Sequence, residues 1–113
     1  YRDNEWHAKN IEKKIENYLQ SANSTTPFFC IGNHDQPRVA SRLGEERARA
    51  LSFLNLLTPG ISVVYYGDEI GMTNGELTAD DTQDNFSPAN SVVDSRDLER
   101  TPMQWNGSQF AGF

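Results

Sequence analysis

Asn33-His34-Asp35 follows directly on the apolar run Phe28-Phe29-Cys30-Ile31-Gly32 and leads into Gln36-Pro37-Arg38. An amide, an imidazole and a carboxylate in succession set donors, acceptors and ionisable groups side by side. A buried strand that ends in such residues delivers them to the rim of a sheet, where α/β barrels carry out their chemistry. Taken alone, Asp35 could equally cap a turn, a common use of Asp near Pro. His34 could likewise be a hydrogen-bonded structural group. Arg100, Arg96 and Arg38 add forked donors suited to oxygen acceptors, although Arg96 and Arg38 could simply form surface ion pairs. Asp68-Glu69 resembles a paired acid and base, but neighbours on an extended strand point to opposite faces, so the pair reads as a structural rim element.

These groups need elements to hold them. From Asp3 to Leu19, Ala8, Ile11, Ile15, Tyr18 and Leu19 share one helical stripe, and Lys9, Glu12, Lys13, Glu16 and Asn17 occupy the other side. The polar stretch Ser21 to Pro27 breaks that helix, and a strand spans Phe28 to Gly32. A second helix runs from Gly44 to Leu57, opening on Glu45 and Glu46 at the positive end of its dipole. Its crowded second half predicts wide burial, and Thr58-Pro59-Gly60 stops it. Ile61 to Tyr66 is β-branched and aromatic with little alternation, the pattern of a strand covered on both faces. Helix, strand, helix, strand with short links is the rhythm of a parallel α/β fold. From Gly71 to Pro88 the chain turns polar, a loop long enough to be functional and placed on the rim that carries His34 and Asp35.

Composition narrows the function. The net charge of -6 argues against nucleic acid, whose phosphates demand a basic face. No apolar run approaches the roughly 20 residues that span a bilayer, so any membrane association needs an anchor outside this segment. Cys30 is the only cysteine, and its place in an apolar strand predicts a buried thiol. Sequons begin at Asn23, Asn85 and Asn106, with Pro88 close behind the second, and point toward a secreted protein or the extracellular face of a membrane. The acidic loop with Asp80, Asp81 and Asp84 lacks the glycine and closing Glu of a calcium loop and reads as solvated. His7 and His34 are far apart, so no metal site is expected. Trp6, Tyr18, Trp105 and Phe86 are expected to pack, although the last two could instead present a ring face to a ligand. No glycine-rich phosphate loop occurs, which removes a nucleotide-binding module.

Three segments in order, Gly32-Asn33-His34-Asp35-Gln36-Pro37-Arg38, Val64-Tyr65-Tyr66-Gly67-Asp68-Glu69-Ile70-Gly71-Met72 and Arg100-Thr101-Pro102-Met103-Gln104-Trp105, resemble the α-amylase superfamily of glycoside hydrolases. The similarity is to its α-glucosidase branch of maltases and oligo-1,6-glucosidases, and it covers nearly the whole chain. It implies a partial (β/α)8 TIM barrel: about its last quarter, with helix 6, strand 7, helix 7, strand 8 and the following loop. The segment is then a fragment of one catalytic domain that does not fold alone, because two strands leave open edges. The implied reaction is retaining hydrolysis of terminal α-linked glucose from maltose, sucrose or short oligosaccharides. Asp35 is the implied transition-state stabiliser, and His34 and Arg100 the implied substrate-binding residues, while the nucleophile and the acid/base lie outside this sequence. No cofactor is implied here, and calcium belongs elsewhere in the barrel of some members. The alternative is the amylase-like heavy subunit of a heteromeric amino-acid transporter, a chaperone that loses parts of the catalytic pattern. The intact Asn33-His34-Asp35 favours the enzyme.

Overall fold

The computed structural model describes residues 7–85 and 91–113. Helix α1 spans Ala8–Ser21, strand β1 Phe28–Cys30, helix α2 Val39–Leu43, helix α3 Glu45–Leu57 and strand β2 Ile61–Val63. Short 3₁₀ turns at Asp68–Ile70, Val92–Asp94, Arg96–Glu99 and Gln109–Gly112 shape the C-terminal third. The two strands pair in parallel, with Phe28 opposite Ile61, Phe29 opposite Ser62 and Cys30 opposite Val63. The helical crossover predicted from the alternating pattern therefore forms, built from α2 and α3.

Both strands are shorter than their apolar runs. A ladder extends only as far as a partner runs beside it, so Ile31-Gly32 and Val64-Tyr65-Tyr66 leave the sheet and become the supports of two loops. The sheet is covered on one face only. Phe29 meets Tyr18 of α1 edge to face at 5.2 Å between ring centroids. On the same face Ser62 Oγ donates to the Asn55 carbonyl at 2.6 Å, and Asn55 Nδ2 donates back to Val63 O at 3.2 Å.

The opposite face, with Phe28, Cys30, Ile61 and Val63, is exposed. Two sequence expectations fail here. Cys30 is an exposed thiol, not a buried one, because its side chain shares the uncovered face with Phe28, which is 61% exposed. Nor is β2 covered on both sides. Likewise the apolar second half of α3 is not widely buried: Phe53, Leu56 and Leu57 are exposed, and only Ala48 and Asn55 of the helix are buried. These surfaces have the composition of contact faces without neighbours, the state expected of two strands taken from a larger sheet.

The core is small and lies between α2 and α3, where Val39, Ala40 and Ala48 pack with Ile31, Leu43 and Leu51. The spacing of Val39, Ala40 and Leu43 makes α2 a short amphipathic turn. Gly44 ends it at φ +80, a backbone that favours glycine, and so lets α3 start at a new angle. No helix among the described residues is long and apolar enough to cross a membrane. Trp6, Phe86 and Pro88 lie outside the described residues.

Candidate active site

The turn after β1 is built to hold a carboxylate still. Asn33 Oδ1 accepts from the Asp35 backbone N–H at 2.9 Å, an Asx turn that explains an asparagine two residues before the aspartate. Arg42 on α2 closes the loop from below, donating from Nη2 to Ile31 O and from Nε to Pro37 O, each at 2.8 Å. Arg42 carried no sequence signal, since its partners are main-chain oxygens on either side of the turn.

Asp35 then meets three side chains. Arg96 Nη1 donates to its Oδ1 at 3.0 Å and Arg100 Nη2 donates to the same oxygen at 3.3 Å. His34 Nε2 lies 3.4 Å from Oδ2. Arg100 also donates from Nε to the His34 carbonyl at 2.9 Å, bridging both residues of the turn. All three predicted site residues, His34, Asp35 and Arg100, are thus brought together. The Asp35 side chain stays 50% exposed.

Arg96, a weak candidate from sequence, is an ion-pair residue, but not an idle surface one. Its Nε and Nη2 fork onto both oxygens of Asp84 at 2.8 and 2.7 Å, and its own backbone N–H donates to Asp84 Oδ2 at 2.9 Å. The Asp84 carboxylate raises the pKa of Arg96, so the guanidinium is a permanent cation. Asp84 is not solvated as its acidic loop predicted: its side chain is 2% exposed. Asp97 Oδ2 accepts from the backbone N–H groups of Gln83 and Asp84 at 2.6 and 2.8 Å, and Ser95 Oγ accepts from Asp97 N at 3.2 Å. Asp81 serves its loop instead, accepting from the Thr78 backbone and hydroxyl, which lowers the pKa of its carboxyl.

Strand β2 supports this layer. Tyr65 OH donates to Glu99 O at 3.3 Å and Tyr66 OH donates to Thr101 O at 2.7 Å, tying the Arg96–Glu99 turn and the residues just after it to the segment that follows β2. Arg38, the second weak candidate, lies beneath. It is 1% exposed, with its guanidinium 4.6 Å from the Tyr66 ring centroid and 5.1 Å from that of Tyr65. Its Nη1 donates to Tyr66 O at 2.6 Å and its backbone N–H to Asn74 Oδ1 at 2.7 Å. Arg38 is therefore a buried strut, not a surface ion-pair partner. Burial raises the Tyr65 hydroxyl pKa to about 12.

Asp68 and Glu69 diverge, but on a 3₁₀ turn and not on an extended strand. Asp68 is buried against Gly32, and burial raises its carboxyl pKa; Glu69 is exposed. Burial also raises the pKa of Glu99. Trp105, expected to pack, is exposed. Asn23 and Asn106 are exposed, as surface sequons require. Among the described residues no group of three or more His, Cys, Asp or Glu side chains converges as a metal site would need.

Polar groups gathered beyond the C-terminal ends of parallel strands are the arrangement in which α/β enzymes place their chemistry. It belongs to the alpha-amylase catalytic-domain family, whose model matches residues 3–113. An alpha-glucosidase from Apis mellifera is 42% identical over 111 residues, covering 94% of this chain and 20% of the relative. A salivary alpha-glucosidase from Anopheles gambiae is 45% identical over 89 residues, covering 75% of this chain and 15% of the relative. Among solved structures, an isomaltulose synthase variant from Erwinia rhapontici, in complex with its natural substrate sucrose, matches with a TM-score of 0.71 and 29% identity. That match covers 96% of this chain and 24% of the synthase. The chain thus spans about a fifth of the length of the curated relatives it matches.

Proposed function

We propose that the chain is the C-terminal part of the catalytic barrel of a retaining α-glucosidase. In this reading α1 is the sixth barrel helix, β1 the seventh strand, α2 and α3 the seventh helix, and β2 the eighth strand. The uncovered face with Phe28, Cys30, Ile61 and Val63 then points into the barrel, against strands supplied by the rest of the protein. The observation that carries the proposal is the carboxylate of Asp35 at the end of β1. Its Oδ1 is fixed by Arg96 and Arg100, and its Oδ2 lies beside His34.

Glycoside cleavage passes through a transition state with oxocarbenium character, flanked by a nucleophile and an acid/base carboxyl about 5 to 5.5 Å apart in retaining enzymes. Those two groups come from elsewhere in the protein. Asp35 supplies a third carboxylate that accepts from ring hydroxyls and gains strength as the sugar becomes positive, because its position is set before the reaction begins. His34 donates to the same glucose, and Arg100 links the two. Substrates are maltose, sucrose and short oligosaccharides, and the salivary relative fits a secreted protein.

Proton NMR of the full-length protein acting on maltose tests the reading. Newly released glucose appears first as the α-anomer. Initial release of the β-anomer, or no cleavage of any α-glucoside, contradicts it.

A further inference from the structure

We infer that Arg96, locked by buried Asp84, is a positioning residue that decides which oxygen Asp35 presents to the sugar; this rests on the catalytic reading of Asp35 given above. The geometry points there from three observations. Arg96 bridges two carboxylates with separate donors: Nε and Nη2 are spent on Asp84, which leaves Nη1 for Asp35. Asp84 is the fixed end of that bridge, since its side chain is 2% exposed and its own backbone is held by Asp97. Finally, both guanidiniums at the site contact Oδ1 of Asp35, leaving Oδ2 as the oxygen free of arginine, next to His34.

The charges explain why Asp84 is needed. Arg100 already brings one guanidinium to Oδ1, so a second one left unbalanced would add further positive charge near a sugar that is turning positive. Pairing Arg96 with a buried carboxylate keeps the directional N–H donor and balances its charge. Arg96 therefore acts through Asp35 without contacting substrate, and the loop that carries both Asp84 and Arg96 becomes part of the catalytic geometry. Lysine is not a substitute, because a single ammonium cannot make the planar fork to Asp84 and also reach Asp35 along a fixed direction.

The test uses the full-length enzyme with Arg96→Lys, Arg96→Gln and Asp84→Asn. Misplacement by about 1 Å lowers rate by about 10²-fold. The expected result is a fall in kcat on maltose of that order for Arg96→Gln and Asp84→Asn, about tenfold for Arg96→Lys, and KM changed by less than about threefold. The Arg96→Gln/Asp84→Asn double variant falls no further than the worse single variant, because the two residues act as one unit. Arg96→Lys keeps the charge and guards against a folding failure. A crystal structure of that variant supplies a readout independent of turnover: Asp35 leaves its wild-type rotamer. Wild-type kcat in folded Arg96→Lys, or an unmoved Asp35 side chain, overturns the inference. A wild-type protein that fails to cleave α-glucosides refutes the catalytic reading instead, and the rotamer of Asp35 still decides the positioning claim.

Discussion

Gly67 and Gly71 flank the 3₁₀ turn that follows β2, and alanine at the two positions should cost very different amounts. Both have positive φ, +88 and +71, so a side chain at either brings the left-handed penalty of about 1–2 kcal/mol. Around Gly71 a Cβ meets nothing within 4 Å, and that penalty is the whole effect. At Gly67 the same atom would sit 2.7 Å from both Arg38 Nη1 and Met72 Sδ, and 2.9 Å from Met72 Cβ. Arg38 is held by Tyr66 O and packs against both tyrosine rings, and Met72 is buried, so neither can move freely. Overpacking of this kind adds about 1–3 kcal/mol. Gly67→Ala should therefore destabilise by about 2–5 kcal/mol and Gly71→Ala by about 1–2 kcal/mol. Urea unfolding of the full-length protein, followed by tryptophan fluorescence, measures both against wild type. Equal midpoints for the two variants would show that Arg38 is not the rigid strut beneath the loop.

Arg100→Met removes donors to His34 O and Asp35 Oδ1. Charged hydrogen bonds contribute about 1.5–3 kcal/mol, less at a partly exposed site, so kcat should fall about tenfold or more, with part of the loss recovered in Arg100→Lys. Because burial raises the Tyr65 pKa from 10.0 to about 12, the unfolded chain loses this proton first, and stability falls as pH rises through that window. Tyr65→Phe should flatten the fall, and an unchanged slope between those pH values would refute the assignment. Burial raises the Asp68 carboxyl above its ordinary value, so its contribution to stability declines as pH rises through the ordinary carboxylate range and beyond. Asp68→Asn should raise the urea midpoint at neutral pH relative to wild type, with the gain shrinking on acidification.

The sequence carried the order of elements and the turn with Asn33-His34-Asp35 because both depend on local pattern. β-Branched runs between amphipathic helices forced a parallel crossover, and an apolar strand ending in polar residues marked the rim. What could not be read locally was pairing across the chain. Asp84 looked like one acid among several in a polar loop, yet it is buried by Arg96 twelve residues later and by Asp97. Arg38 looked like a surface cation, and only the fold slides Tyr65 and Tyr66 over it. Cys30, Phe53, Leu56 and Leu57 have core composition but lie exposed, because composition reports the face a residue is built to meet and not whether these residues supply its neighbour.

Turnover of the full-length protein with Asp35→Asn tests the central claim most directly. Loss of a preorganised group that stabilises charge lowers kcat by about 10²–10³-fold, so that fall on maltose is expected, with the unfolding midpoint kept near wild type. A folded Asp35→Asn enzyme that turns over maltose at the wild-type rate contradicts the account.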